Sequence, residues 1–90
     1  MINFKEMVRL EEMKDVVIYL VGRKEGGISH PSLDQFFHLN NAEEKYDSYN
    51  IRLINETEDL MDKKIIISGY KKGPHWQAPQ FVRDRKYGIE

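Results

Sequence analysis

A chain of 90 residues with 14 Lys/Arg against 15 Asp/Glu, 40% hydrophobic and 32% charged, has the make-up of one ordinary globular domain, neither disordered nor membrane-embedded. A domain of this size buries about 60–65% of its unfolded surface, so nearly every apolar cluster is needed for a single core and little is left for a deep substrate cleft. The lack of cysteine excludes disulfides and thiolate metal sites, and the longest apolar run, Val16–Val21, is far too short to span a bilayer.

The opening Met1-Ile2-Asn3-Phe4-Lys5-Glu6 lacks the basic, apolar and small-residue order of a signal peptide, so the expectation is an intracellular, cytoplasmic chain. Charge is uneven along the length. Residues 1–60 hold seven Lys/Arg against twelve Asp/Glu, whereas residues 61–90 hold seven against three. The total of −1 is not the footprint of a strong nonspecific nucleic-acid binder, so any basic surface must come from the C-terminal third.

Phe4, Met7, Val8, Leu10, Met13, Val17, Leu20 and Val21 recur at three- and four-residue steps, which predicts one amphipathic helix over residues 3–22. The β-rich Val-Val-Ile-Tyr within it leaves a strand as the alternative. Gly22, Gly26 and Gly27 end it. His30-Pro31-Ser32-Leu33-Asp34-Gln35 starts a short second helix, with Pro31 in the first turn and Ser32 and Gln35 at capping-box spacing. Asn40-Asn41 stops it. Asn41 and Glu44 repeat the capping spacing and predict a third helix over residues 42–62, in which Leu53, Thr57 and Leu60 form one row, flanked by Ile51, Ile54 and Met61. The flanking Ile51 and Ile54 are expected to join Leu53 and Leu60 against Val17, Leu20 and Phe36, with Ile65 and Ile67 closing the core.

Lys64–Tyr70, with three successive isoleucines, predicts a buried strand, and the Pro- and Gly-containing Lys71–Pro79 predicts a loop. Gln80–Ile89 serves as the returning strand. The fold class is therefore α+β, a three-helix core followed by a two-stranded antiparallel β-ribbon whose tip carries Lys71, Lys72, His75 and Trp76. A tryptophan in a proline-stiffened loop either lids the core edge or offers a rigid binding anchor.

The order of these elements resembles a winged helix-turn-helix domain: a helix ending Val17-Ile18-Tyr19-Leu20-Val21, a Gly-Gly-Ile-Ser bridge, the helix at Ser32–Leu39, the helix ending Asp59-Leu60-Met61-Asp62-Lys63, and the strand Lys64–Ser68 passing into a wing. The resemblance implies DNA binding, usually through the third helix in the major groove. Here the start of that helix offers Glu43, Glu44 and Asp47 with Lys45 the one base, and carboxylates there repel phosphate. The wing suits phosphate better, because Lys71, Lys72 and His75 sit beside Trp76 with Arg83, Arg85 and Lys86 behind. The expected function is a small non-enzymatic DNA-binding regulator of transcription, contacting DNA through Lys71, Lys72, His75, Trp76, Arg83 and Arg85, and forming a homodimer through the long first helix. The alternative is a protein-binding inhibitor, of immunity or antitoxin-like type, or an anti-defence protein of a mobile element. Its acidic face, including Glu43, Glu44, Asp47, Glu56, Glu58 and Asp59, would mask a basic protein partner.

Catalytic signals are sparse. Asp34 and His38 lie four apart and could share a metal, but a surface ion pair is the simpler reading. His75 with Asp84 or Glu90 could form an acid–base pair, yet nothing adjacent supplies a nucleophile or oxyanion site. The glycines at 22, 26 and 27 lack the Gly-Lys-Ser/Thr ending of a phosphate loop. Neither an enzyme nor a cofactor or metal is expected.

Overall fold

The N-terminal apolar repeat folds as two helices rather than one in the computed structural model, which describes residues Met1–Glu90. Helix α1 (Phe4–Leu10) is capped by Asn3, whose side chain accepts the Glu6 N–H, and α2 spans Met13–Gly22. Glu11 and Glu12 between them are extended. No helix breaker stands there; tertiary contacts impose the bend. The Lys45 ammonium donates to the carbonyls of Val8 (3.1 Å) and Glu11 (2.6 Å), satisfying the C-terminal carbonyls of α1 that continuation of the helix would otherwise have paired. The Tyr87 hydroxyl donates to the Glu11 carboxylate from the far end of the chain. The bend lets Met7, Val8 and Met13 all reach the core.

Helix α2 is the centre of the molecule, with Val16 through Val21 buried without interruption. Those residues are spent on the fold's own core, so the long first helix on which self-association was expected does not exist as a free surface. Helix α3 (His30–Leu39) is capped three residues before the expected position: Ser29 accepts the Ser32 N–H, and Pro31 sits in the first turn. It buries Leu33 and Phe37.

The expected third helix over residues 42–62 is shorter. Asn41 turns left-handed (φ +64°), Ala42–Glu44 form a single 3-10 turn around the buried Ala42, and α4 begins only at Tyr49, running to Asp62. The intervening residues carry Lys45 back to α1, which a continuous helix would prevent. In α4 the row Leu53, Thr57 and Leu60 is buried as expected, while Ile51 and Ile54, expected in the core, face outward. A 100° step per residue explains the difference: that row occupies one side of the helix, and Ile51 lies well over 90° around from its centre.

Helix α4 leads into an antiparallel hairpin of β1 (Ile66–Ile67) and β2 (Lys71–Lys72), with Ile66 opposite Lys72 and Ile67 opposite Lys71. The architecture is thus a helical core followed by a two-stranded antiparallel ribbon. Of the three isoleucines only Ile66 is fully buried; Ile67 points to solvent, as strand alternation requires. The ribbon is tighter than the sequence implied. Its turn is Ser68–Tyr70, made by positive φ at Gly69 and Tyr70, so Lys71 and Lys72 form the returning strand and not the tip. Residues expected to return as a strand are instead helical: α5 (Gln80–Arg83) follows the buried Pro79, and a 3-10 turn covers Lys86–Gly88. Phe81 sits edge-on between Tyr19 and Tyr87, and that aromatic insertion draws the segment onto α2.

Candidate nucleic-acid interface

The hairpin is held at both ends, and those ties decide where its side chains point. At the turn, the Ile28 N–H donates to the Tyr70 carbonyl (3.3 Å), joining the α2–α3 link to the ribbon. Gly27 makes this approach possible: it sits at φ +88°, and a Cβ there would fall 2.3 Å from the Gly69 carbonyl oxygen. The Tyr70 hydroxyl accepts from His30 Nδ1 (3.0 Å) and donates to Thr57 Oγ1 (3.4 Å), which in turn donates to the Ile54 carbonyl (2.9 Å). This relay fastens the turn to both α3 and α4. It borders an open groove of about 370 Å³ lined by glycines 26, 27 and 69 with Ile28, Ser29, His30 and Tyr70.

At the other end the Gly73 N–H donates to Ile65 O and the His75 N–H to Lys64 O, extending the pairing beyond the two ladder residues. The His75 ring places Nδ1 3.1 Å from the Lys63 carbonyl, so Nδ1 carries the proton and Nε2 remains for solvent or a ligand. Trp76 is half-buried. Its indole N–H donates to the Ile18 carbonyl (2.9 Å) and its six-membered ring lies over Gly22, so it lids the end of α2.

The expected site residues divide into three places. Lys72 lies with its ammonium 4.4 Å from the centre of the Trp76 ring, three residues before His75, which itself bonds the backbone of Lys63 and Lys64. Lys71 turns to the opposite side of the ribbon, where its stem meets Gly27 and Gly69. Arg83 and Arg85 stand on α5 and the turn after it, with Arg85 left-handed at φ +55°. The structure therefore brings Lys72 onto Trp76, turns Lys71 to the other side of the ribbon and holds the His75 ring against the Lys63 carbonyl.

Fixed charges around this face are mostly positive. From Lys63 through Arg83 the chain carries five Lys/Arg and no Asp or Glu. Lys63 is the partly neutralised member: its ammonium pairs with Asp59 at 2.9 Å, and that hydrogen bond with the adjacent negative charge raises its pKa. Lys64, Lys71 and Lys72 are exposed and take part in no salt bridge.

Two cations that looked available at the third helix are engaged. Lys45 closes α1, and Arg52 stacks over the Tyr46 ring at 4.7 Å. Glu43 and Glu44 are not on α4 at all but on the preceding 3-10 turn. The acidic set is thus split between that turn (Glu43, Glu44), the link after it (Asp47) and the second half of α4 (Glu56, Glu58, Asp59). His75 and Asp84 do not pair, since Asp84 accepts from the Gln80 side chain (2.9 Å) while His75 faces Lys63. No three metal-ligating side chains converge, and no helix is long and apolar enough to cross a membrane. Sequence reasoning missed the His30–Tyr70–Thr57 relay and the Lys45 clamp. Neither leaves a local pattern, because each joins residues 13 to 40 positions apart.

Comparison of the chain with protein-family models gives no match, comparison with curated proteins gives none, and comparison with solved structures gives none.

Proposed function

We propose that the protein is a nucleic-acid-binding domain of winged-helix type that engages the phosphate backbone with the Trp76 side of its hairpin. The observation that carries the reading is the cationic, carboxylate-free stretch Lys63–Arg83, folded so that Lys72 rests on a tryptophan fixed to α2. A cation held over an aromatic ring is partly pre-positioned, so less side-chain entropy opposes its contact with phosphate. The Ile28–Tyr70 hydrogen bond supports the winged-helix reading, since it joins the link between the first two core helices to the ribbon. The start of α4 at Tyr49 supports it too, because the carboxylates of Glu43 and Glu44 no longer crowd the helix that would face a groove.

The test is a fluorescence-anisotropy titration of labelled duplex and single-stranded DNA between about 30 and 200 mM salt, where each neutralised phosphate contributes about 0.9 to the log–log slope. Lys72→Ala and Lys64→Ala should each flatten that slope by about one, while Lys71→Ala, on the other side of the ribbon, should change it less. Absence of salt-dependent binding to either probe at about 30 mM salt ends the proposal. The second reading, a module that binds protein, is favoured by a different observation: the two isoleucines that α4 leaves in solvent.

A further inference from the structure

Arg23 is a cation outside the hairpin that the fold holds in place without using its charge. It caps the C-terminal end of α2, where its backbone N–H donates to the carbonyls of Leu20 and Val21. Its side chain reaches back over Tyr19, one turn earlier, and across to α1, with the guanidinium carbon 5.6 Å from the centre of the Tyr19 ring and 5.5 Å from that of Phe4. Rings on two helices therefore hold it. Stacking occupies the faces of a guanidinium and leaves its edge of N–H donors free. Here the residue is exposed, and its side chain takes part in no salt bridge, not even with Glu25 two residues on. Arg52, the other arginine over a ring, differs in sharing its groove with Asp47.

Its place in the fold ties it to the Lys72–Trp76 corner. Gly22, the residue before it, is where the Trp76 ring seats on α2, and β2, which carries Lys72, packs against the same helix. The Lys72 ammonium is 4.4 Å from the centre of a ring that touches Gly22, which puts it within about 10 Å of the Gly22 Cα and one peptide further from that of Arg23. Both cations thus stand well inside the span of one duplex turn, about 34 Å. We propose that Arg23 is a second phosphate-contacting residue of the same surface, so that a nucleic-acid backbone runs from the Lys72–Trp76 corner past the C-terminal end of α2. The inference rests on the phosphate-binding reading of the hairpin and gives it an anchor on another element. A guanidinium fork can meet a phosphate with two parallel N–H bonds. Two anchors on different elements fix the direction of a bound strand, which one cation cannot do.

Anisotropy titrations of labelled duplex DNA over the same salt range test it, with the variants compared at matched circular dichroism. Arg23→Gln keeps most of the stem and removes the charge, so it should weaken binding and flatten the log–log slope by about 0.9. Lys24→Gln removes the same charge from the next residue, which no ring holds, and should flatten the slope by less than half as much. Combining Arg23→Gln with Lys72→Ala should flatten it by about 1.8, because the two cations meet different phosphates. A wild-type chain without salt-dependent binding overturns the proposal together with the reading beneath it. Wild-type binding that Arg23→Gln leaves unchanged, that Lys24→Gln reduces equally, or in which the Arg23 and Lys72 losses fail to add, overturns this proposal alone.

Discussion

Replacing Gly22 by Ala puts two effects of opposite sign at one position, and the structure says which wins. As a helix residue, alanine is preferred over glycine by about 0.5–1 kcal/mol. Gly22 is the last residue of α2 and does not need positive φ, so that gain is available in principle. A Cβ there, however, would lie 2.3 Å from the Trp76 ring, inside the distance at which real side chains meet. The indole must move, and with it goes the hydrogen bond to Ile18 O, worth about 0.5–1.5 kcal/mol. Overpacking of this kind typically costs about 1–3 kcal/mol. Gly22→Ala is therefore expected to destabilise by about 1–2 kcal/mol in urea unfolding, against its helix propensity. The second half of the cycle makes the argument specific. With Trp76→Ala already present there is nothing to strike, so Gly22→Ala should then stabilise by up to about 1 kcal/mol, giving a coupling of about 2 kcal/mol between the two sites. If Gly22→Ala has the same sign in both backgrounds, Trp76 is not seated on α2 as described.

Three further outcomes are expected. Leu53→Ala should cost about 2–5 kcal/mol, whereas Ile51→Ala should stay within about 0.5 kcal/mol, and equal costs in denaturant titrations would mean the phase of α4 is wrong. Lys45→Met keeps the aliphatic stem but removes the donor to Val8 O and Glu11 O, so it should destabilise by about 1 kcal/mol and increase amide exchange at the end of α1; unchanged exchange there would remove the clamp from the account. Tyr87, raised from 10.0 to about 12 by burial and then by its hydrogen bond to Glu11, stays neutral in the fold after it has ionised in the unfolded chain. Its stabilising contribution is complete below pH 10 and is lost as pH climbs through about 12, so the stability gap between wild type and Tyr87→Phe should narrow over that window, and a constant gap would contradict the assignment.

The parts of this fold that were legible in the sequence are those with a repeating local cause. The Leu53–Thr57–Leu60 row, the Pro31 start of α3 and the first ribbon strand within the three isoleucines all come from periodicity or backbone restriction within a few residues. The failures have long-range causes. Nothing near Glu11 announces a bend, because the groups that stabilise it, Lys45 and Tyr87, lie 34 and 76 residues away. Gln80–Ile89 offers Phe81 or Val82 and Tyr87 or Ile89 as inward residues of a returning strand, but Phe81 finds Tyr19 and Tyr87, and packing decides for a helical turn. The candidate interface was legible as composition and not as geometry: five cations without a carboxylate are visible in the sequence, while the division of Lys71 from Lys72 needs the position of the turn.

That position bears directly on how the hairpin would act. Two ladder pairs cannot hold a ribbon by themselves, since even a longer isolated hairpin is marginal in water. The ribbon's order must come from its two ties, Tyr70 to His30 and Thr57 at the turn and Trp76 to Ile18 at the base. The ties are not equivalent for function. Only the base tie carries the ring on which Lys72 rests, so loosening it disperses the cation and its orientation together, whereas loosening the turn mainly frees Lys71 and the glycine groove. Tyr70→Phe should therefore lower stability while leaving the salt slope of DNA binding close to wild type. Trp76→Ala should weaken that binding while leaving the number of phosphates met almost unchanged, because pre-positioning alters affinity without altering charge. Reversal of that order, with Tyr70→Phe damaging binding more than Trp76→Ala, would move the binding surface to the Gly27–Lys71 side of the ribbon.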